Sequence, residues 1–499
     1  MNNINQEIAR GAAWVLLFKV FERGLGLISF AILARLLTPA DFGIVALAMT
    51  TIGALKIFTH FSFDVALIQN QQAADAHYHT AWTLNFILFS VIALAVAGLS
   101  EPLADFYDEP GLKPLFLVLA IVPFIQAAEN IRVIDFRKHM RFDLDFRYRL
   151  AHKLGGFCVT IPLAFITRSY WALASGIIAA HLTSLITGYW LKPVAPRFGL
   201  AKFREMLSFT KWIFGANILY FLRQRASAFI IGKFSGMTGV GLFSNAYELS
   251  EMATTELVAP INRAVLPAQS KIAQKSDELR TNYLQVSGIL AALSIPVGVG
   301  LAAVAEPAIL VVMGPTWVDA IPLLAIMAPA GALGFIESNT GTTCMAAGRP
   351  DVLFKLYLFF ATLLLGLVGL FSQWWGVIGA AWGVLAAVLI NTPIYAAAIL
   401  KVIGLPLSAL LNVIWRPAIA AALMYASVAV TLGQMLVPVD TATALLPLGV
   451  GVLVGVFVYF ASLTALWHFA GRPAGAEQLL LAQWQEQLVP RLKQRMARG

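Results

Sequence analysis

The sequence predicts an all-α polytopic membrane protein with about fourteen transmembrane helices, arranged as two six-helix lobes plus two C-terminal helices. Hydrophobic residues make up 59% of the 499 residues, charged residues make up 12%, and mean hydropathy is +0.77. A soluble domain carries about 25% charged residues, so this chain needs a bilayer as its solvent. Apolar stretches of helical length recur along the chain, and several sequence landmarks occur twice in the same order.

The apolar segments are each long enough to cross a hydrocarbon core of about 30 Å as a helix. In chain order they cover 11–34, 41–66, 80–100, 112–131, 149–168, 170–191, 209–232, 240–261, 284–305, 317–343, 353–373, 376–400, 412–435 and 444–467. The first segment contains charged residues and is not followed by a small-residue cleavage site. We therefore interpret it as a span and not as a removable signal peptide.

Basic residues are concentrated in alternate loops, and this pattern predicts the orientation. Lys and Arg are enriched in cytoplasmic loops of membrane proteins. Basic clusters follow the fourth, sixth and eighth spans and fill the C-terminal tail, whereas the loop at 101–111 is acidic. Both termini are therefore predicted to be cytoplasmic. The net charge of +9 reflects this topology and an attraction to anionic membrane lipid, and it does not indicate nucleic acid as a partner.

Short polar breaks at 36–43, "LLTPADFG", and 232–241, "GKFSGMTGVG", indicate an internal repeat. Gly43 and Gly241 lie 198 residues apart, and Glu129 and Glu337 match at a slightly larger offset of 208 residues. The predicted domains are an N-lobe of six spans at 1–205, a C-lobe of six spans at 206–405, spans 13 and 14 at 406–470 and a cytoplasmic tail at 471–499. An even number of spans per unit makes the repeats parallel. In the first break, Thr38 is predicted to cap the second helix. In the break at 232–241, the glycines are predicted to form a tight turn.

Ionisable residues inside the spans are the candidate functional groups, because a charge in the bilayer is costly and usually faces a cavity or a partner. They occur on the first, second, seventh and eighth spans. The candidate binding residues are Arg23, Lys56, Arg223, Arg225, Lys19 and His60, and the candidate ion-coupling acids are Glu22, Asp64 and Glu251. From the helical rise, Arg23 lies about 18 Å above the cytoplasmic start of its span and Lys56 about 22 Å below the outer face. Because Arg23 and Lys56 outnumber the acids expected near them, we predict an anionic substrate. The alternative is a set of structural ion pairs, of Lys19 with Glu22 and of Arg223 with a glutamate of span eight.

Nucleotide-driven chemistry has no signature in the chain. It contains no GxxxxGK[ST] and no GxGxxG motif, and the two cysteines, Cys158 and Cys344, fit no metal-ligand spacing. We expect no cofactor and no metal, and no large loop is left for a catalytic pocket. Transport would therefore run on an ion gradient, H+ or Na+, or be passive.

The segments "LARLLTPADFGIVALAMTTIGALKIFTHFSFDVALIQ" (33–69) and "DFRKHMRFD" (135–143) resemble bacterial polysaccharide flippases of the Wzx type. These belong to the multidrug/oligosaccharidyl-lipid/polysaccharide exporter (MOP) superfamily. The resemblance implies a V-shaped protein of the bacterial inner membrane that moves an undecaprenyl-diphosphate-linked oligosaccharide to the outer leaflet for O-antigen or exopolysaccharide assembly. It also implies a polysaccharide polymerase as a partner. The basic residues of the first two spans of each lobe would then line the cavity. Span eight departs from the lipid II flippases, because it is acidic where they carry a further arginine.

Two other functions are open to this sequence. A multidrug or metabolite cation antiporter of the same superfamily would need an acidic pocket and usually has twelve spans. A membrane glycan polymerase or ligase would need a large outer loop with catalytic arginines. The basic cavity and the short outer loops favour the flippase, which is a transporter and not an enzyme.

Overall fold

The computed structural model describes residues 21–57, 63, 67–68, 70, 72–139, 141–194, 196–204, 221–223, 225–436 and 438–473. Every regular element in these ranges is helical. The chain divides into two compact units, Met1–Gly241 and Leu242–Gly499. The domain boundaries predicted from the sequence remain predictions.

The first unit contains helices α1 to α8 and the start of α9. These are α1 (21–36), α2 (Pro39–Ile57), α3 (Asp75–Phe106), α4 (Leu112–Leu119), α5 (Ile121–Ala128), α6 (Ile134–Lys138), α7 (Phe142–Thr167), α8 (Trp171–Leu191) and α9 (Ser227–Met252). A short 3-10 helix, Ile131–Val133, precedes α6.

The second unit contains the rest of α9 and seven further helices. A π-helix, Ala253–Val258, continues α9, and a 3-10 helix covers Pro315–Ala320. The helices are α10 (Ala259–Ile272), α11 (Ser276–Ala303), α12 (Ala305–Val312), α13 (Ile321–Ala346), α14 (Pro350–Ile403), α15 (Leu407–Gly433) and α16 (Thr441–Phe469). Helix α11 packs against both α13 and α15, and the Tyr459 hydroxyl of α16 donates to the Ala292 carbonyl of α11 at 2.8 Å.

Ten helices in the described ranges are long and apolar enough to cross a membrane, or eleven if the bent pair Leu112–Ala128 and Ile131–Lys138 forms one span. Helix α14 is broken at Gly376, whose φ of 59° is the left-handed conformation that glycine adopts readily. This break falls between the predicted eleventh and twelfth spans. The all-helical multi-span fold is confirmed, and the count of fourteen remains a prediction.

The polar break before α2 forms the predicted helix cap. The Asp41 amide donates to Thr38 Oγ1 at 3.3 Å, and the Thr38 amide donates back to Asp41 Oδ2 at 2.9 Å. This reciprocal pairing satisfies amides that the first helical turn leaves without partners. The second Asp41 oxygen accepts from the Tyr170 amide at 2.9 Å, which ties the start of α2 to the start of α8.

The two repeated glycines pack against each other's helix. A Cβ built at Gly43 would lie 2.7 Å from the Met237 carbonyl carbon, and one built at Gly241 would lie 2.7 Å from the Pro39 carbonyl carbon. Each glycine thus faces the residue four positions before the other. The predicted turn falls at Gly236, where φ is 64° and α9 is kinked, whereas Gly241 serves a helix crossing that needs glycine at both positions.

The predicted fourth span is interrupted twice. Helix α4 ends at Leu119, and α5 ends at Ala128, after which the chain bends by 63°. The Asn130 side chain holds this bend, since it accepts from the Arg132 amide at 3.0 Å and donates to the Lys192 carbonyl at 2.7 Å. The bend leaves Glu129 beyond the end of α5, where its side chain reaches α8.

Candidate functional site

Three of the predicted site residues, Lys19, His60 and Asp64, lie outside the described residues. Arg23 is half-buried on α1, Arg223 is half-buried and Arg225 is exposed. The assembly of these cations into one binding site remains a prediction.

Lys56 lies in the last turn of α2 and is half-buried. Its ammonium nitrogen lies 5.8 Å from the centroid of the Phe89 ring, and it is attracted by the charge of the Glu129 carboxylate. The expectation that Arg23 and Lys56 outnumber the acids near them remains a prediction. Glu129 follows Lys56 by 73 residues in the chain, so local sequence does not reveal that the two charges act on each other.

Glu129 is also bound by a histidine inside α8. Its Oε1 lies 3.1 Å from His181 Nδ1, and the Gln126 amide nitrogen lies 3.0 Å from His181 Nε2. The same Gln126 nitrogen lies 3.2 Å from His181 Nδ1, so it faces both ring nitrogens, and the Glu129 carboxylate is an acceptor for a proton on Nδ1. Both side chains are mostly buried, with exposed fractions of 18% for His181 and 26% for Glu129.

A second histidine extends this cluster towards α7. The rings of His152 and His181 are 5.1 Å apart between centroids, and His152 Nδ1 lies 2.8 Å from Ser184 Oγ. We call the group formed by Lys56, Gln126, Glu129, His152 and His181 the histidine cluster. Its ionisable side chains are a lysine, a glutamate and two histidines, all within the first unit.

Glu22 makes an ion pair of its own. Its Oε1 lies 3.1 Å from the Lys153 ammonium of α7. In the described residues Glu22 is therefore paired between helices, and the pairing considered from sequence involved Lys19 of the same span. Glu251 is half-buried in α9, next to Ser250, whose carbonyl oxygen packs directly on Gly331 of α13. A coupling role for either acid remains a prediction.

A cavity of about 460 Å³ lies between α1, α2, α7 and α8 in the first unit. Its lining is mainly apolar, and His152 and Lys153 supply the polar contribution together with Ser29 and Thr160. Small residues make room for it, among them Gly26 and Gly156. The cavity therefore connects the His152 side of the histidine cluster with the Glu22–Lys153 pair.

Charged residues outside this interior lie at the two ends of the first unit. At one end, Asp135 is buried and accepts from the Tyr78 hydroxyl at 2.6 Å, while its other oxygen lies 3.1 Å from the Lys192 ammonium. This contact joins the loops after the predicted fourth and sixth spans, which the basic pattern places on the same side. At the other end, Lys113 pairs with Glu101 at 2.9 Å.

The second unit holds a buried polar network, and the hydrogen bonds described in it join uncharged side chains. Asn339 of α13 donates to Ser287 Oγ of α11 at 2.8 Å, and Thr343 donates to Gln269 Oε1 of α10 at 3.0 Å. Asn339, Thr343 and Gln269 are each fully buried. Hydrogen-bonded amides and hydroxyls fix the packing of these helices, because a buried polar group without a partner is costly.

The histidine cluster was not predicted from sequence, apart from Lys56. The signal was nevertheless present, because His152 and His181 each stand inside an apolar segment, and an ionisable residue in a span indicates a functional site by default. The predicted site residues all lie on the first, second, seventh and eighth spans.

The fold and the ionisable interior define a polytopic, all-helical membrane protein of the transporter type. The model of the polysaccharide biosynthesis protein family matches residues 32–322. Because this match covers more than half of the chain, the protein belongs to that family. The predicted resemblance to Wzx-type proteins is confirmed.

Individual relatives agree with this assignment. The lipopolysaccharide biosynthesis protein WzxC of Escherichia coli (strain K12) is 25% identical over 425 residues, which cover 83% of this chain and 85% of that protein. The lipid II flippase MurJ in an inward closed conformation matches with a TM-score of 0.71 and 16% identity, covering 92% of this chain and 100% of that chain.

An inward-facing multidrug resistance MATE family transporter of the MOP superfamily also matches in structure. Its TM-score is 0.60 at 15% identity, covering 76% of this chain and 94% of that chain. At these identities, MurJ and the MATE transporter show that the fold is shared with this chain.

Proposed function

We propose that this chain is a flippase that moves an undecaprenyl-diphosphate-linked oligosaccharide repeat unit from the cytoplasmic to the outer leaflet by alternating access. The product would serve O-antigen or exopolysaccharide assembly. The match to the polysaccharide biosynthesis protein family over residues 32–322 is the observation that carries this proposal. The shared fold with a lipid II flippase supports it further.

The proposed diphosphate site consists of Arg23, Lys56, Arg223 and Arg225, with Lys19 and His60 beside them. Arginine offers a planar fork to phosphate oxygens, whereas lysine provides a compact charge. Lys56 fits this role because it is half-buried among apolar helices, where an ammonium group gains from an anionic ligand. A diphosphate would offer Lys56 such a ligand.

The remaining assignments follow from the same proposal. The protein would be a multi-pass protein of the bacterial inner membrane with both termini in the cytoplasm, and a transporter without enzymatic activity. Transport would be coupled to H+ or Na+, with Glu22, Asp64 and Glu251 as candidate coupling acids. A polysaccharide polymerase would receive the flipped unit.

Lipid extraction from a strain lacking the gene tests the proposal. We expect a diphosphate-linked oligosaccharide to accumulate and surface polysaccharide to be lost. The wild-type gene should restore export, whereas a well-expressed Arg23→Gln, Lys56→Gln double variant should not, and Arg23→Lys should restore it in part. The matched control is Lys113→Gln, which removes an exposed cation at the other end of the first unit.

Two results would contradict the proposal. Unchanged glycan lipids in the deletion strain would exclude the flippase function. Full export by the well-expressed double variant would exclude the diphosphate site while leaving the function intact. Loss of expression on Arg23→Gln, restored by a further Glu22→Gln, would instead indicate a structural ion pair.

A further inference from the structure

The cavity between α1, α2, α7 and α8 is suited to an apolar ligand, and we call it the first-unit cavity. Aromatic and aliphatic side chains from all four helices line it, among them Phe30 of α1, Met49 of α2, Phe157 of α7 and Ile177 of α8. Ligand sites of this kind are concave, mostly apolar and carry a few polar groups that fix the orientation of the ligand.

The volume of the cavity indicates the size of this ligand. An apolar cavity of about 150 Å³ holds one benzene ring, which has six carbon atoms. With about 460 Å³, the first-unit cavity therefore has room for about three five-carbon isoprene units.

The polar edge of the cavity lies at the first turn of α1. Gly26, Phe30 and Leu33 line the cavity, and their spacing of three and four residues places them on one face of α1. Glu22 lies one turn before Gly26 on this face. Its Oε1 lies 3.1 Å from the ammonium of Lys153, which also lines the cavity. The cavity thus changes from charged to apolar along α1.

Arg23 lies at the same edge. It precedes Gly26 by three residues, which corresponds to about 4.5 Å along the helix axis. Arg23 is the cation that α1 contributes to the proposed diphosphate site. A ligand that carries a diphosphate directly on a hydrocarbon chain would therefore meet Arg23 with its anion and the first-unit cavity with its chain.

We propose that the first-unit cavity binds the isoprenyl chain next to the diphosphate of the lipid-linked substrate. The inference rests on the proposed function and deepens it, since it uses Arg23 as a phosphate ligand. In a prenyl diphosphate the phosphate is bonded directly to the first isoprene unit, whereas a glycerophospholipid has a glycerol ester between its phosphate and its acyl chains. The short rise from Arg23 to Gly26 matches the prenyl diphosphate.

The space at Gly26 is not used for packing between helices. Among the described residues outside α1, no atom lies within 4 Å of a Cβ built at Gly26. On the opposite wall, a Cβ built at Gly156 of α7 would lie 3.2 Å from the Ala180 Cβ and 3.3 Å from the Gly176 oxygen of α8. Helices α7 and α8 thus approach as closely as small residues allow and form a fixed wall, while the α1 side stays open for a ligand.

The ionisable groups of the lining have protein partners. His152 Nδ1 lies 2.8 Å from Ser184 Oγ of α8, and the Lys153 ammonium pairs with Glu22. Because these groups are compensated by the protein, a hydrocarbon chain can enter the cavity without leaving them unpaired.

Photolabelling of the purified full-length protein tests the inference. The protein is placed in phosphatidylcholine nanodiscs, and the probe is farnesyl diphosphate with a diazirine on its last isoprene unit. After irradiation, mass spectrometry identifies the labelled residues. We expect labels on lining residues such as Phe157 and Ile177. Unlabelled farnesyl diphosphate should suppress them, whereas dioleoyl phosphatidylglycerol at the same concentration should not.

A matched pair of glycine variants assigns the label to the cavity. Gly26→Leu fills the cavity and should lower labelling of the lining residues at least tenfold. Gly24→Leu is the control, because Gly24 lies on the other side of α1, also has open space at its Cβ and does not line the cavity. Both variants should unfold at or above the wild-type temperature, since leucine favours the helix more than glycine does. Ala46→Leu, from the α2 wall, should act as Gly26→Leu does.

The outcomes separate this inference from the proposed function. Labels outside the lining residues, or labels that Gly26→Leu and Ala46→Leu leave unchanged, would overturn the inference and leave the flippase proposal standing. Equal suppression by phosphatidylglycerol would overturn it as well, because the cavity would then be a general lipid site. Unchanged glycan lipids in the deletion strain would instead contradict the proposed function, and the inference with it.

Discussion

The crossing of α2 and α9 at Gly43 and Gly241 leads to the most direct test of the fold. A Cβ at Gly43 would lie 2.7 Å from the Met237 carbonyl carbon and 2.9 Å from the Gly241 nitrogen. Carbon atoms in contact are normally 3.5–4.0 Å apart, and the Met237 carbonyl oxygen lies closer still to this Cβ position, so Gly43→Ala would push the helices apart by at least about 1 Å. The clash is with backbone atoms, which cannot turn away as a side chain can.

The energetic cost follows from two opposing effects. Overpacking a close contact costs about 1–3 kcal/mol. Replacing a helical glycine by alanine returns about 0.5–1 kcal/mol, because it lowers the entropy of the unfolded chain. We therefore expect Gly43→Ala to destabilise the protein by about 1–2 kcal/mol. Gly241→Ala should have a similar effect, and the double variant should cost less than both single changes together, because both act on one crossing.

Thermal unfolding of the purified protein in detergent measures this effect. The matched control is Gly98→Ala in α3, because no atom lies within 4 Å of a Cβ at that position. The control should unfold at or slightly above the wild-type temperature, and Gly43→Ala clearly below it. A Gly43→Ala variant as stable as the control would show that the two helices do not approach so closely in the folded protein.

Three further predictions address topology and the ends of the helices. Reporter fusions after Arg149, after Arg280 and at the C-terminus should report a cytoplasmic location, and a fusion near Asp108 should report a periplasmic one. A periplasmic signal after Arg280 would overturn both the predicted topology and the predicted repeat. Asp135→Asn should lower the free energy of unfolding by about 1–3 kcal/mol, because buried Asp135 accepts from the Tyr78 hydroxyl and pairs with Lys192. The exposed control Asp108→Asn should change it little. Equal stability of the two variants would exclude the described contacts of Asp135. Hydrogen bonds from the Thr443 amide and hydroxyl hold the pKa of Asp440 below its ordinary value, so its stabilisation of α16 should be present above about pH 4 and lost as the pH falls through the lowered pKa. Asp440→Ala should remove this part of the acid dependence in unfolding measurements, and an unchanged profile would contradict it.

Much of the fold was predictable because it depends on local properties of the chain. Composition and the length of the apolar segments predicted a helical membrane protein, since backbone groups in a bilayer must find partners within a helix or a closed barrel. The Thr38 cap was also predictable from local sequence, because its donor and acceptor are only three residues apart. The repeat was visible through Gly43 and Gly241, whose crossing gives the repetition a physical reason.

The site was less predictable, because its contacts join helices that are distant in sequence. Arg23, Lys56, Arg223 and Glu251 were recognised as charges inside spans, but the contact of Glu129 with His181 was not. The chain separates Lys56 from Glu129 and Glu129 from His181 by more than fifty residues. Only the bend after α5, fixed by Asn130, brings the carboxylate to α8.

The sequence by itself determined the class of protein, the length and order of most helices and which of their ends are basic. The tertiary structure alone decided that Glu22 pairs with Lys153, that Glu129 contacts His181, and that two glycines form a helix crossing. The reason is physical. In a bilayer, lipid and protein interior are both apolar, so hydropathy does not specify which face of a helix turns inward. Small residues and polar contacts between helices make that choice, and these become visible only once the helices are packed together.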